Sequence, residues 1–511
     1  MGKDLSKSQA KGQKPADNKN VSQGNGKGSH RRGPSPVNRW MSVADPVHGI
    51  IRFDRNDETH RLVLDIVNSR PFQRLRRIRQ MGLAEFVFPG ATHSRFVHSL
   101  GATHLMVQWI EHINHTRPGK ELLSSHYKNY GITIERLLLV AILTHDIGHT
   151  PLSHTLEDIL DLAQQALLHD QYWNAKILRE DKDLQNVWQK YGPNLPEAVL
   201  DFMGNNAENK KHFLAQLVSS QLDMDRLDYL QRDSHFLGVQ YGRIEADRII
   251  GNLELAELTD GTPVIACREE AVPAVEHYLF GRYQAYKMAM HPLDKASEYL
   301  LKKAFDRFRY VKEKNIMGNS RADLLYQLMT DGRTLSIEQY LELDDCYLWQ
   351  SIHHWARQHE DELLSALANR VLRHDLLKFI DLAKFGYTDS LEKLEPVYTA
   401  LQEHYKKRGL SFEFGFEQAI VTPKPLYKIG EHRKEPIWIR TARGTVVDLT
   451  QASALPLQGE SATDDARKNL KNLVFVWDKK AKHFLLDMLE EHFPEAKEVD
   501  YIEDEDDDPD F

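Results

Sequence analysis

The chain has 511 residues, 41% hydrophobic and 28% charged, with a net charge of -9 at neutral pH. That composition can bury a core, but the longest strongly apolar run, Leu137 to Leu143, falls far short of the ~20 residues of a membrane span, so none is expected. The N-terminus lacks an apolar signal region, and two cysteines, Cys267 and Cys346, exclude a disulfide framework or thiolate zinc cluster and fit a reducing, cytoplasmic setting.

Charge is unevenly spread. Residues 1–39 carry nine Lys/Arg against Asp4 and Asp17, and residues 498–511 carry nine acids and no base. The first stretch is almost free of apolar residues, so it reads as a disordered basic arm, open to nucleic acid or an acidic partner. The last reads as an acidic disordered tail. The body between them is mildly acidic and has no basic excess of the kind that marks a dedicated nucleic-acid binder.

Ordered sequence begins near Trp40. Asp45-Pro46-Val47-His48-Gly49 predicts a turn, and Ile50 to Phe53 a short strand. Helical patterns follow: Leu62, Ile66 and Val67 form one stripe, and Phe72, Leu75 and Ile78 another, with Pro71 near a helix start. Ile134 to Leu143 is apolar nearly all round, which predicts a central buried helix. Further helices are expected over 155–180, 196–203, 210–237 and 271–308, and several between 319 and 407. Beyond them, Ser411 to Phe416 alternates, Pro436 to Leu449 reads as two strands around Arg443-Gly444, and Leu473 to Trp477 as another. Pro456 to Asn469 reads as a loop and Lys479 to Phe493 as a helix. The expected fold is mainly α, a helical core with a smaller C-terminal α+β lobe. The division is a catalytic core over 40–310, a helical extension over 311–410 and the lobe over 411–497.

The densest chemistry lies in Thr144 to His154, which holds His145, Asp146, His149 and His154. An adjacent His-Asp at the end of an apolar helix is carried into a partly dry site, where a carboxylate needs a cation or donors. A divalent metal is the simplest partner. The two side chains point about 100° apart on a helix, so one ion needs a helix terminus or ligands from elsewhere. Ser94 to Gly101, with His98, and Leu222 to Asp233, with four acids, offer such ligands.

In order and context, His98, His145-Asp146 and Asp225 match the signature of the HD-domain phosphohydrolases. Longer motifs agree: Asp45-Pro46-Val47-His48-Gly49, Phe72-Gln73-Arg74-Leu75-Arg76, Arg95-Phe96-Val97-His98-Ser99-Leu100-Gly101 and the run from His145 to His154. Over roughly 40–310 the chain resembles the HD-domain deoxynucleoside triphosphate triphosphohydrolases, the SAM-and-HD-domain-like branch without its SAM domain. The resemblance implies an HD-domain core and metal-dependent hydrolysis of deoxynucleoside triphosphates to deoxynucleoside and inorganic triphosphate, by attack of water on the α-phosphate. It implies His98, His145, Asp146 and Asp225 as ligands of a divalent metal. Two imidazoles and two carboxylates suit Mn, Fe, Zn, Ni or Co, and Mg less well. It implies His154 as general acid, Glu157 and His169 tuning it, and His149 on phosphate. Arg95, Arg226 and Arg282 match phosphate contacts, Gln80 and Asp233 contacts to the sugar 3′ hydroxyl, and Tyr229 a residue beside the sugar. A homo-oligomer is the family expectation.

Two departures stand out. The family's sugar-closing tyrosine has no counterpart in Lys287 to Pro292, which weakens the expectation of deoxyribose selection. At the activator position, Asn68 stands where relatives carry an Asp and Met41 where they carry a Lys, while Gln73 and Arg76 remain. Activation by GTP is therefore expected to differ from the human-type pattern or to be absent, although the run Arg74, Arg76, Arg77, Arg79 offers a nucleotide contact. Competing readings are an HD phosphohydrolase acting on a monophosphate, cyclic dinucleotide or alarmone, a nucleic-acid-binding protein or nuclease using the basic arm, and a regulatory scaffold with a dead site.

Overall fold

The computed structural model of the protein describes residues 39–204, 211–288, 290–317, 323–421, 425–427, 436–455, 457 and 470–494. The readings of the basic arm, the acidic tail and most of the 456–469 loop fall outside the described residues. The fold is mainly helical, with small sheets.

A hairpin opens the described chain: β1 (Trp40–Asp45) pairs antiparallel with β2 (Gly49–Asp54). The expected turn joins them because one Asp45 oxygen accepts the amides of Val47 and His48, both at 2.9 Å, and Gly49 adopts φ +72°, where a Cβ is disfavoured. Next come α1 (Glu58–Val67), capped by Asp57, and α2 (Arg70–Arg74), with Pro71 in its first turn. The main helical body is then built on three packed helices. The first, α3 (Arg95–Asn114), lies against both α4 (Ile134–Thr144) and, once the chain returns, the helix Met224–Leu237. Nine of the eleven residues of α4 are buried, as its all-round apolar sequence requires.

Several helices expected to be continuous are broken. The 155–180 stretch divides into α5 (His154–Ile159), a π-helical turn at His169–Trp173 and α6 (Asn174–Glu180). The 210–237 stretch becomes a 3-10 turn at Phe213–Leu217 and α7 (Met224–Leu237). There Asp223 starts a new helix by accepting the Arg226 amide at 2.7 Å, and Gly238, at φ +73°, stops it. After β3 (Leu253–Glu257) and β4 (Pro263–Arg268), the 271–308 stretch divides into α8 (Val272–Met288) and α9 (Pro292–Glu313), parted where His291 caps a helix that starts on proline. Later comes α10 (Asp345–Arg357).

The C-terminal α+β lobe has a three-stranded sheet. Its strands are β5 (Lys378–Asp381), β6 (Phe416–Val421) and β9 (Lys471–Val476), with β9 central and antiparallel to both neighbours. The sheet thus draws β5 from the stretch read as helical extension. The Ser411–Phe416 alternation instead forms a short helix, Phe412–Gly415, before β6. The expected strand pair around Gly444 exists as β7 (Trp438–Arg440) and β8 (Val446–Asp448). It joins the main helical body rather than the lobe, because β7 pairs in parallel with β4. Along β9, Leu473 and Phe475 enter the main core while Val474 and Val476 enter the lobe core. Period-two alternation thus buries both faces of one strand.

Candidate active site: two linked histidine–carboxylate clusters

His98 sits one turn into α3, His145 and Asp146 directly follow α4, and Asp225 lies in the first turn of α7. The packing of these helices brings the four together. His98 Nε2 lies 3.3 Å from His145 Nε2, 3.2 Å from Asp225 Oδ1 and 3.5 Å from Asp146 Oδ2. His145 Nε2 lies 3.4 Å from Asp146 Oδ1 and 3.6 Å from Asp225 Oδ1. Such separations are those of donors sharing one ion at about 2.0–2.2 Å. Two groups have the spacing to hold a metal: His98, His145 and Asp225, and separately His149, His154, Glu157 and His169.

The tautomers also suit a cation. His98 Nδ1 pairs with Asp228 Oδ2 at 2.8 Å, and His145 Nδ1 with the Ile142 carbonyl at 2.6 Å. Each ring donates its Nδ1–H away from the cluster, leaving the Nε2 lone pair for the ion. Burial opposes a charge on His98, but hydrogen bonds to Asp225 and Asp228 override it and raise its pKa to about 10. The carboxylates thus favour a positive charge at this position: a proton on Nε2 facing Asp225, which a cation would displace on binding. His98 is fully buried, while the side chains of Asp225 and His145 are 27% and 13% exposed, so the cluster opens on one side.

Asp228 anchors the cluster from behind. It receives His98 Nδ1, His48 Nε2 at 2.6 Å, and Arg232 Nε and Nη2 at 2.9 Å each. Arg232 also bonds Asp45 at 2.9 and 3.3 Å, so the hairpin turn is tied into the same network. Burial alone would raise the Asp228 pKa, but Arg232 and the two imidazoles hold it well below the usual carboxylate range. Gly101 is required here: a Cβ would lie 2.0 Å from Asp228 Oδ1.

A second cluster adjoins the first. Glu157 Oε2 bonds His154 Nδ1 at 2.9 Å, and Oε1 bonds His169 Nδ1 at 2.9 Å. His149 stacks on His169 with ring centroids 3.5 Å apart and reaches Asp146 Oδ1 at 3.3 Å. Asp146 thus touches both clusters. Burial, the Arg95 charge and His169 push the His149 pKa well down, so this imidazole is neutral. Burial would raise Glu157, but His154 and His169 hold it below the ordinary range. Both Glu157 and His169 are buried, whereas the His154 side chain is 67% exposed, so His154 is the member that reaches outward.

The expected substrate residues fall into four groups. Arg95 is buried against the site, donating to Asp146 and, at 2.7 Å, to Ser153 Oγ. Leu152 and Ser153 hold φ of +53° and +56°, strained values for side-chain-bearing residues. They are held by Arg95 and by Asp345, which accepts the Leu152 amide at 2.8 Å. Arg226 donates to the Ser220 carbonyl at 2.8 Å and to Tyr229 Oη at 3.1 Å, so these two lie side by side. Arg282 points both guanidinium ends at carbonyls, Gln221 at 3.1 Å and Leu426 at 2.7 Å. Gln80 and Asp233 meet around His93. The Gln80 amide donates to the His93 carbonyl at 3.0 Å, and His93 Nε2 lies 2.8 Å from Asp233 Oδ1. Gln80 Oε1 is buried with no hydrogen-bond partner.

At the expected regulatory position, Asn68 caps α1, Gln73 donates to the Val67 carbonyl at 2.7 Å and accepts Arg76 Nε at 2.8 Å. The arginine run is not one solvent face: Arg74 is fully buried, donating to the Leu343 carbonyl, and Arg77 pairs with Asp344. Four contributors carried no role in the sequence reading: His48, Asp228, Arg232 and His93. The first three stand inside quoted motifs. Only their convergence across 180 residues shows that they form one network.

This arrangement defines a helical protein that carries an HD domain, whose family model matches residues 95–233. The chain is 29% identical to the uncharacterized protein YwfO of Bacillus subtilis, over 84% of this chain and 92% of that protein. It is 27% identical to the deoxynucleoside triphosphate triphosphohydrolase SAMHD1 homolog of Dictyostelium discoideum, over 52% of this chain and 48% of that protein, so it spans about half of that relative. A crystal structure of a phosphohydrolase from Bacteroides thetaiotaomicron superposes with a TM-score of 0.66 at 25% identity, covering 86% of this chain and all of that one. Among the described residues, no helix is long and apolar enough to cross a membrane.

Proposed function

We propose that this protein is a metal-dependent phosphohydrolase that splits deoxynucleoside triphosphates into deoxynucleoside and inorganic triphosphate. The observation that carries this reading is Asp146, placed between a metal-type cluster and a His–Glu–His relay, 3.4 Å from His145 and 3.3 Å from His149. His98, His145, Asp146 and Asp225 would hold the divalent cation. When bound, such a cation polarises the α-phosphate and makes water a better nucleophile.

The chain's own residues supply the rest. Arg95, Arg226 and Arg282 place positive charge around a polyanion despite the negative net charge. Neutral His149 donates one N–H toward phosphate. His154, pinned through Nδ1 by Glu157, keeps Nε2 for the leaving group and gives its proton to O5′. The P–O5′ bond breaks as the water oxygen bonds phosphorus, and the triphosphate leaves with that oxygen. His169 shares the Glu157 carboxylate and steadies the charge on His154. Gln80 and Asp233, joined through His93, would receive the sugar 3′ hydroxyl, with Tyr229 packed beside the sugar. Asn68, Gln73 and Arg76 form the proposed regulatory position, without human-type GTP activation. A cytoplasmic homo-oligomer with a catalytic core over 40–310 goes with this reading.

Product analysis tests it. Purified full-length protein is incubated with each dNTP and NTP plus Mn(II) or Mg(II). Free deoxynucleoside with triphosphate supports the proposal; monophosphate with pyrophosphate, or orthophosphate alone, sinks it. Asp225→Asn should abolish both activity and bound metal.

A further inference from the structure

We infer that Asn174 is a positioning residue that fixes the metal-binding turn and couples it to the proton relay, an inference that rests on the proposed metal site. The turn His145–Gly148 follows the end of α4, where carbonyls lack intrahelical partners. The Asn174 side chain, in a residue only 7% exposed, supplies what the turn lacks from both ends of one amide. Its Nδ2 donates to the His145 carbonyl, and its Oδ1 accepts the Gly148 amide at 2.6 Å. The approach needs glycine: a Cβ on Gly148 would stand 2.6 Å from both Asn174 N and Oδ1. A third backbone group of the turn, the Gly148 carbonyl, accepts Tyr340 Oη at 2.5 Å. Tyr340 in turn stacks on Trp173 at 3.5 Å.

The placement of Asn174 in the chain extends its reach. It directly follows the π-helical turn His169–Trp173, a rare geometry that recurs at functional sites. That turn carries His169, which bonds Glu157 at 2.9 Å and stacks on His149. One short segment therefore holds the two metal-type residues His145 and Asp146 through Asn174 and the relay through His169. Moving the Asn174 amide would shift the metal cluster relative to the proton donor.

The test measures metal independently of turnover. Full-length wild type, Asn174→Ala and Asn174→Asp are titrated with Mn(II), free ion being followed by electron paramagnetic resonance, and the visible spectrum of the Co(II) form is recorded. Asn174→Ala should bind Mn(II) about 10–100-fold more weakly, the usual cost of losing such an outer partner, with a changed Co(II) spectrum. Asn174→Asp keeps the acceptor for Gly148 and loses the donor to His145, so it should fall between. Leu485→Ala, buried in the lobe core, should lower stability without moving either readout. A folded Asn174→Ala that binds Mn(II) within twofold of wild type, with an unchanged Co(II) spectrum, overturns the inference. If that variant does not fold, the same result for Asn174→Asp overturns it. A wild-type chain that takes up no Mn(II) overturns the metal reading and this inference together.

Discussion

Asp228→Asn is the sharpest probe of the buried network. The carboxylate receives four hydrogen bonds, from His48, His98 and twice from Arg232, inside a site with no exposure. Place the amide oxygen where Oδ2 stands, and the bonds from His98 Nδ1 and Arg232 Nε survive. The new NH2 then faces His48 Nε2 and Arg232 Nη2. His48 can change tautomer and accept; Arg232 cannot. One charge-assisted bond is lost, about 1.5–3 kcal/mol, and Arg232 keeps only Asp45 as a counter-charge. Breaking a buried pair on one side costs about 3–5 kcal/mol, and the surviving Asp45 contact puts the expected loss near the low end, about 3 kcal/mol. Urea unfolding measures this, with the metal chelated. In parallel, metal affinity should fall about 10-fold, because the His98 Nδ1–H then meets a neutral amide oxygen in place of the carboxylate that makes its ring a stronger ligand. An Asp228→Asn protein within about 0.5 kcal/mol of wild type, the range of a neutral surface change, would show that the carboxylate neither balances Arg232 nor orients His98.

Three further outcomes are expected. Glu157→Gln should lower kcat about 100-fold with little change in KM, the scale of a lost proton-transfer partner; steady-state kinetics decide, and a rise in KM alone would assign Glu157 to binding. Gly101→Ala should destabilise by about 1–3 kcal/mol, the usual cost of overpacking, because its methyl meets Asp228 and Arg232; thermal unfolding at fixed pH reads it. Burial pushes the Asp345 carboxyl up to about 6, against the amides of Leu152 and Arg79 that it accepts. Since the folded value lies above the unfolded one near 3.9, this group favours folding fully below about pH 3.9 and loses that contribution as pH rises through about 6. Asp345→Asn should therefore remove a downward slope in stability between about pH 4 and 6, seen by comparing urea midpoints of the two proteins across that window.

Features that depend on local pattern are legible in the amino-acid order. An apolar run with no polar face had to be a buried helix, and α4 is one. Asp45 and Gly49 had to make a turn, and a β hairpin joins there. His145 and Asp146 stand out because a histidine and a carboxylate at the end of an apolar helix are costly without a cation, while His98 and Asp225 are assigned by the resemblance to the HD-domain signature. His149 and His154 lie in one dense stretch, and the resemblance implies the roles of these two and of Glu157 and His169. Helix breaks were less legible: a cap such as Asp223 or His291 competes with periodicity, and periodicity alone runs through it. Alternation also misplaces β6: Ser411 to Phe416 alternates, yet Phe412–Gly415 closes into a helical turn and the strand begins at Phe416.

Tertiary structure decided everything that joins distant positions. That Arg74 is buried on the Leu343 carbonyl, that Arg282 faces carbonyls, and that β7 extends the sheet of β3 and β4 are facts of packing. No window of sequence contains both partners. The same holds for Asp228, which gathers His48 and His98 from elements far from its own helix, and for Asn174, which meets the metal-type turn 26 residues before it. Composition and spacing can say that a carboxylate needs partners. Only the folded arrangement of α3, α4 and α7 says which partners it has.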